Sequence, residues 1–156
     1  MRNFILLFLS CIFLISCEDN NPSSTVIANF VDLSLSDKEG NDLLDPINKN
    51  GIKENEIMHF YLVNGVKKEF YNSSYDSPKN ILIYNEEGKY FVRIFLNTIK
   101  DKNGEVISLI QWSENDTDTI KATLQTTKNT TIIINPKFND KKIPDTETGY
   151  FLEVIK

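Results

Sequence analysis

The sequence predicts an all-β fold, an antiparallel β-sandwich (Ig-like or similar) of about eight or nine strands. Three observations support this fold class. Apolar and polar residues alternate in short runs, turn-forming residues recur about every ten positions, and no segment carries a sustained helical stripe of apolar residues. A small β-barrel is the alternative, because the same pattern fits a closed sheet. Asn29, Arg93 and Glu153 favour the sandwich, since they give the strands a hydrated second face.

The strands are predicted in order along a single domain, residues 26–156. Val26–Leu35 carries its apolar residues mainly on one parity, as a half-buried strand does. Ile57–Val63 and Val66–Tyr71 form the clearest hairpin, because Asn64-Gly65 between them tolerates the two positive φ angles of a type I′ turn. We expect all five prolines to lie in breaks between strands, because proline cannot donate to a sheet. The other predicted strands are 81–84, 89–99, 106–112, 119–126, 130–135, a short one near Phe138, and 150–155.

The stretch Phe4–Cys17 indicates a lipoprotein signal. Its twelve apolar or small residues up to Ile15 fit a secretory signal peptide and fall short of the ~20 that a spanning helix needs. The end of the stretch, Leu-Ile-Ser-Cys, resembles the bacterial lipobox. We therefore expect residues 1–16 to be removed, Cys17 to carry the lipid, and residues 17–25 to form a flexible tether. An ordinary signal peptide with a chance cysteine is the alternative.

Charge and cysteine content exclude several classes of function. Removal of Arg2 with the signal peptide leaves 16 basic against 22 acidic residues, a net charge of −6. Such a chain has no electrostatic basis for binding nucleic acid, and it is poorly suited to adsorb on anionic lipid. The acyl anchor is therefore the expected membrane attachment. Cys11 leaves with the signal peptide and Cys17 is lipidated, so we expect no disulfide, thiol catalysis or cysteine-ligated metal in the folded part.

No recognised catalytic or metal motif occurs in the sequence. His59, the only histidine, is predicted to be an ordinary strand residue, and one histidine cannot build a histidine-ligated zinc site. Neither a nucleophile elbow nor HExxH is present. We therefore expect no enzyme activity, no cofactor and no metal. Carboxylates do cluster at Asp42 and Asp45 and in the 114–118 turn, where a calcium site is the alternative to a solvated turn.

Candidate binding residues lie in loops and near strand ends. Ser36–Glu56 is a connection of about twenty residues, a length that is often functional in a compact domain. Aromatic rings near strand ends could stack on a sugar or on a partner's side chain, and core packing is the alternative for them. The candidate ligand-binding residues are Trp112, Tyr71, Tyr75, Asp42 and Asp45.

Four phrases carry a resemblance to a known group of proteins. They are GNDLLDP at 40–46, YLVNGVKKE at 61–69, GKYFVRIFLN at 88–97 and IQWSENDTDTIKA at 110–122. With the lipobox, they resemble small lipoproteins of gut Bacteroidota. The resemblance implies a β-rich domain held in the cell envelope, and it carries over no functional residue.

The sequence as a whole favours a non-catalytic binding module, lipid-anchored at the outer membrane and facing either the periplasm or the cell surface. Its partner would be a glycan, a peptide or another envelope protein. One alternative is a structural or accessory subunit of an outer-membrane assembly, which a large exposed apolar patch would favour. A small carboxylate-dependent hydrolase is a further alternative, which a deep pocket with two convergent carboxyl groups would favour.

Overall fold

The structure, a computed structural model, describes residues 26–156. The predicted signal peptide, Cys17 and the tether therefore lie outside the described residues. Twelve strands and one 3-10 turn, Glu54–Glu56, make up the described part, in which no helix is long and apolar enough to cross a membrane. The strands are β1 Val26–Ala28, β2 Phe30–Ser36, β3 Met58–Val63, β4 Val66–Glu69, β5 Ile81–Glu86, β6 Lys89–Phe95, β7 Glu105–Ser113, β8 Asp116–Thr126, β9 Thr130–Phe138, β10 Lys141–Lys142, β11 Asp145–Thr146 and β12 Gly149–Ile155.

The strands form two sheets. Sheet one has the order β1-β9-β8-β7-β3-β4, with β10 also pairing with β9, and sheet two has the order β11-β12-β2-β6-β5. All pairs are antiparallel except β1 with β9 and β2 with β12. Both sheets are open rather than closed on themselves, so the predicted β-sandwich is confirmed and the small barrel is not the architecture.

The core lies between the sheets and follows the period of two along each strand. On sheet two, Val92 and Ile94 of β6 are fully buried and face the same side as their cross-strand neighbours on β2. On sheet one, Ile110 and Ile120 are equally buried. The residues that alternate with these four along β6, β7 and β8 point outward, which is why a simple alternation in the sequence predicts the core.

The predicted first strand is in fact two strands that belong to different sheets. The break is at Asn29, whose side-chain amide donates to the Leu96 carbonyl at 2.6 Å. The Asn29 carbonyl accepts the Leu96 N–H at 2.7 Å. These bonds satisfy the polar groups where the chain leaves sheet one and enters sheet two. Asn29 is therefore a crossing residue rather than part of a hydrated outer face.

The prediction that every proline lies between strands is wrong for Pro136, which is inside β9. Lys121 pairs with Lys137 and Thr123 pairs with Ile134, so two residues of β9, Asn135 and Pro136, stand opposite one residue of β8. This is a β-bulge, and Asn135 adopts a φ of 53° there. A bulge tolerates proline because the extra residue needs no ladder hydrogen bond.

Candidate functional site

Trp112 does not lie where a ligand could stack on it. Its side chain is only 2 % exposed, and its indole N–H donates to Asp118 Oδ2 at 2.7 Å. A buried indole with a satisfied N–H is a core residue. The prediction of Trp112 as a surface stacking residue is therefore wrong.

The acidic 114–118 turn joins the two sheets. Asp118 is buried, and its second oxygen accepts a bond from the Asn139 side chain at 2.6 Å. Lys156 directly follows β12 of sheet two. Its ammonium binds the Asp118 carboxylate and also binds the Asp116 carboxylate at 2.8 Å. These carboxylates thus accept hydrogen bonds from donors of the protein itself. The described residues contain no group of three side chains suited to a metal ion.

Asp42 and Asp45 shape the long loop from within. Asp42 accepts the Leu44 N–H at 2.8 Å and, through its other oxygen, the Tyr90 N–H at 3.0 Å. Asp45 accepts the Ile47 N–H at 2.9 Å. Both carboxylates therefore accept local backbone bonds that shape the loop, and Asp42 also ties the loop to β6, so that Leu43 and Leu44 are buried in the core.

Tyr71, by contrast, lies beside a cavity that the long loop and the loop at residues 70–80 form together. Glu54 and Asn55, at the end of the long loop, line one side of this cavity, and Pro78 and Lys79 of the 70–80 loop line the other. The cavity has a volume of about 440 Å³. Tyr71 stands at this cavity and is 63 % exposed. The sequence indicated the long loop and Tyr71 as binding candidates, and the fold brings them together.

A second cavity of about 490 Å³ continues from the first along strand β5. Glu54 and Asn55 line both cavities; Ile81 of β5 lines the first, and Ile83 of β5 lines the second. Tyr90 also lines the second cavity. We call the two cavities together the β5 cleft.

Lys79 links the two walls of the β5 cleft. Its ammonium donates to the carbonyls of Ile57 at 2.7 Å and Asn55 at 2.9 Å, and it lies 3.5 Å from that of Glu54. Its own carbonyl is 2.8 Å from His59 Nδ1. Because a carbonyl can only accept, Nδ1 of His59 carries the proton. The loop, the edge of sheet two and a core histidine of β3 are therefore connected through one residue.

His59 is a buried strand residue with no access to a ligand. It is fully buried, and burial lowers its pKa to about 4 despite the bond to the Lys79 carbonyl. Its Nε2 has no hydrogen-bond partner in the described part of the chain. The imidazole is therefore neutral near pH 7, and its role is structural, since it donates to the Lys79 carbonyl.

Tyr75 lies on the other side of the 70–80 loop. It is 52 % exposed and lines a separate cavity of about 380 Å³ with Asn80 and Phe95. Tyr71 and Tyr75 therefore do not face the same cavity. Of the five candidate residues, the structure places Tyr71 beside the first cavity of the β5 cleft and Asp45 beside the second.

Sequence reasoning missed an aromatic surface on the outer side of sheet two. Arg93 forms a two-pronged ion pair with Asp32, both bonds being 2.9 Å, and its guanidinium lies 3.9 Å from the Phe30 ring centre. The ring centres of Tyr84 and Phe91 are 5.5 Å apart. The aromatic face consists of Phe30, Tyr84, Phe91, Phe95 and Phe151, all half-buried. The alternation of Phe91, Arg93 and Phe95 against the core residues was its signal in the sequence.

Comparisons of the chain with protein-family models, with curated proteins and with solved structures each returned no match.

Proposed function

We propose that this protein is a non-catalytic binding module, anchored at the outer membrane of the cell envelope by lipid on Cys17, and that the β5 cleft takes up its partner. The single observation that carries the proposal is the convergence of two loops on one cleft beside an exposed tyrosine. Loops held on a rigid β scaffold are a common location for binding residues.

The lining of the cleft suits binding. Tyr71, Pro78 and Ile81 supply apolar and aromatic surface, while Glu54 and Asn55 supply polar groups at the border. Concave sites of a few hundred Å³ with this mixture are typical of ligand pockets. The Lys79 bonds keep the two walls at a set distance before any partner arrives, so binding needs little reordering.

The test compares two tyrosines of similar exposure on opposite sides of one loop. The full lipoprotein is cross-linked in living cells and recovered with its bound partner. We expect Tyr71→Ala to lose most of the cross-linked partner and the matched control Tyr75→Ala to retain it. Equal capture by both variants would place the binding surface elsewhere.

The anchor is tested separately by fractionation. A diacylated cysteine contributes about 0.8 kcal/mol per buried CH₂, which is enough for stable membrane attachment. We expect Cys17→Ala to leave the membrane fraction and mass spectrometry of the wild type to find acyl chains on residue 17. A variant that stays in the membrane fraction would contradict the lipobox interpretation.

A second candidate function is that of a structural or accessory subunit of an outer-membrane assembly. The aromatic face favours it, because half-buried aromatic rings clustered on one face of a sheet offer an apolar contact surface to a partner. Here, Phe91→Ser should release the protein from a native complex while Tyr71→Ala leaves it bound. A carboxylate-dependent hydrolase has less support, since both oxygens of Asp42 and of Asp118 are bonded to protein donors.

A further inference from the structure

Strand β5 is an unprotected edge of sheet two. It is six residues long and pairs with β6 in regular register, without a bulge, a lysine or a proline. Natural sheets usually shield such an edge, because an open ladder invites another strand. The other outermost strands in residues 26–156 carry lysine or are short: β4 carries Lys67 and Lys68, and β1, β10 and β11 have only two or three residues. Strand β11 pairs with β12 only at Gly149 and Tyr150, so β12 has an uncovered side beyond that point, but neither cavity of the β5 cleft lies beside it.

The open side of β5 presents hydrogen-bonding groups to the cleft. The Phe95 N–H donates to the Asn80 carbonyl, so that pair is a hydrogen-bonded pair of the ladder. Pairs alternate along an antiparallel ladder, which directs the N–H and C=O groups of Ile81, Ile83 and Asn85 away from β6. No other backbone or side-chain group of the described chain is hydrogen-bonded to the backbone of Ile83.

The spacing of the two cavities matches the repeat of an extended chain. Ile81 lines one cavity and Ile83 the other, so the cavities are two residues apart along β5. A strand rises roughly 3.3 Å per residue, and residues i and i+2 point to the same face. A strand added to β5 would therefore place two alternate side chains in the two cavities.

We propose that the β5 cleft binds an extended, uncharged segment of a partner protein by strand addition, with two alternate apolar side chains in the two cavities. The inference rests on the proposed binding function and adds the class of partner. In this mode the backbone ladder gives affinity and the side-chain cavities give selectivity.

The charges around the cleft support an uncharged occupant. The two acidic lining residues, Glu54 and Asp45, are matched in number by two basic ones, Lys53 and Lys79. The walls therefore have no net charge and attract neither an acidic nor a basic segment strongly. The floor is formed by isoleucine side chains of β5. An apolar segment buries its side chains there without leaving a charge unpaired.

The experiment titrates the lipoprotein, in detergent micelles, with capped heptapeptides that alternate threonine with valine, leucine or phenylalanine. We expect saturable binding that shifts the amide NMR signals of Ile81, Ile83 and Asn85 and slows their hydrogen exchange. Methylating the peptide nitrogens on the edge that faces β5 removes its donors, and should weaken binding by about tenfold or more.

A matched pair of variants tests the protein side. Ile83→Pro deletes the outward N–H, whereas Ile83→Ala keeps it, and both remove the isoleucine side chain. We expect the proline variant to bind about tenfold more weakly than the alanine variant. Should Ile83→Pro fail to fold by circular dichroism, the methylated peptides decide the question.

Several results would overturn the inference. Equal binding of methylated and unmethylated peptides would show that no ladder forms. Absence of binding by the whole panel, with Tyr71→Ala still losing the cross-linked partner, would leave the cleft a site for another ligand such as a glycan. Sedimentation could also reveal a dimer that the Ile83→Pro substitution dissociates but the peptides do not. That result would assign the β5 edge to a second copy of this chain. If no peptide binds and Tyr71→Ala captures normally, the proposed function fails as well.

Discussion

At the scale of single residues, Asp118 serves three donors from different parts of the fold. Trp112 belongs to β7, Asn139 follows β9, and Lys156 follows the last strand of sheet two. The carboxylate therefore links the two sheets through bonds that burial strengthens. An acidic turn that looked like a solvated or calcium-binding segment is in this way a structural junction.

We expect Asp118→Ala to destabilise the fold by roughly 3–5 kcal/mol, because it leaves the indole N–H and a partly buried ammonium without their acceptor. Urea unfolding followed by tryptophan fluorescence measures this. The control is Asp116→Ala, whose carboxylate is more exposed and, among the described residues, binds Lys156 alone. That variant should lose less than about 1 kcal/mol. Similar losses in both would contradict the central role of Asp118.

His59 should make stability depend on pH. Its folded pKa of about 4 lies below the ordinary value of 6.5, so the unfolded chain binds the proton first. The contribution of neutral His59 to the free energy of unfolding is therefore complete above about pH 6.5. It is lost as the pH falls toward 4, by roughly 3 kcal/mol in total. The measurement is the unfolding free energy between pH 7.5 and 5, compared with His59→Gln, which keeps an amide N–H and does not titrate. Parallel pH curves for the two proteins would refute the assignment.

At the scale of elements, the long loop is part of the core as well as part of the cleft. Leu43 and Leu44 are buried, and the loop is held by bonds from the Ile52 N–H to the Leu43 carbonyl and from the Leu43 N–H to the Leu35 carbonyl. Only its last turn, at Glu54 and Asn55, borders the Tyr71 cavity. Packing and backbone hydrogen bonds therefore fix the shape of this loop, while its end is free to serve binding.

Leu44→Ala should cost about 2–5 kcal/mol, the range for truncating a buried leucine. Ile47→Ala in the same loop is the control, since Ile47 is exposed and should change stability by less than about 0.5 kcal/mol. Thermal unfolding by circular dichroism distinguishes the two. A stable Leu44→Ala variant would mean that the loop only covers the core loosely.

The link between the loop and β5 depends on Lys79. Lys79→Met keeps the length of the side chain but removes the donors to the carbonyls of Asn55 and Ile57. We expect a loss of about 1–3 kcal/mol and faster amide exchange in residues 53–57, with exchange in the hairpin of β5 and β6 unchanged. Unchanged exchange in 53–57 would show that packing alone holds this wall.

At the scale of the whole molecule, the domain should need neither metal nor disulfide. Residues 26–156 contain no cysteine, and one continuous core joins the two sheets. We expect a fragment of these residues to fold alone, with a far-UV spectrum of β-structure and a melting temperature that EDTA does not change. Unfolding on addition of EDTA would point to a structural calcium ion.

The sequence by itself determined the features that depend on local order. The parity of residues such as Val92 and Ile94 predicted their burial, because side chains on a strand alternate between faces. Asn64-Gly65 predicted the β3–β4 turn, and the two residues have φ angles of 51° and 81°. The sandwich followed from the repetition of such signals along the chain.

Only the tertiary structure decided where the candidate site lies. Tyr71 and Trp112 have similar sequence signals, yet one is exposed beside a cavity and the other is buried against Asp118. The difference comes from contacts between residues that are far apart in the chain, such as Lys79 with Ile57. Periodicity specifies which face of a strand a residue occupies, but whether that face meets a second sheet, a loop or solvent depends on how the strands are ordered.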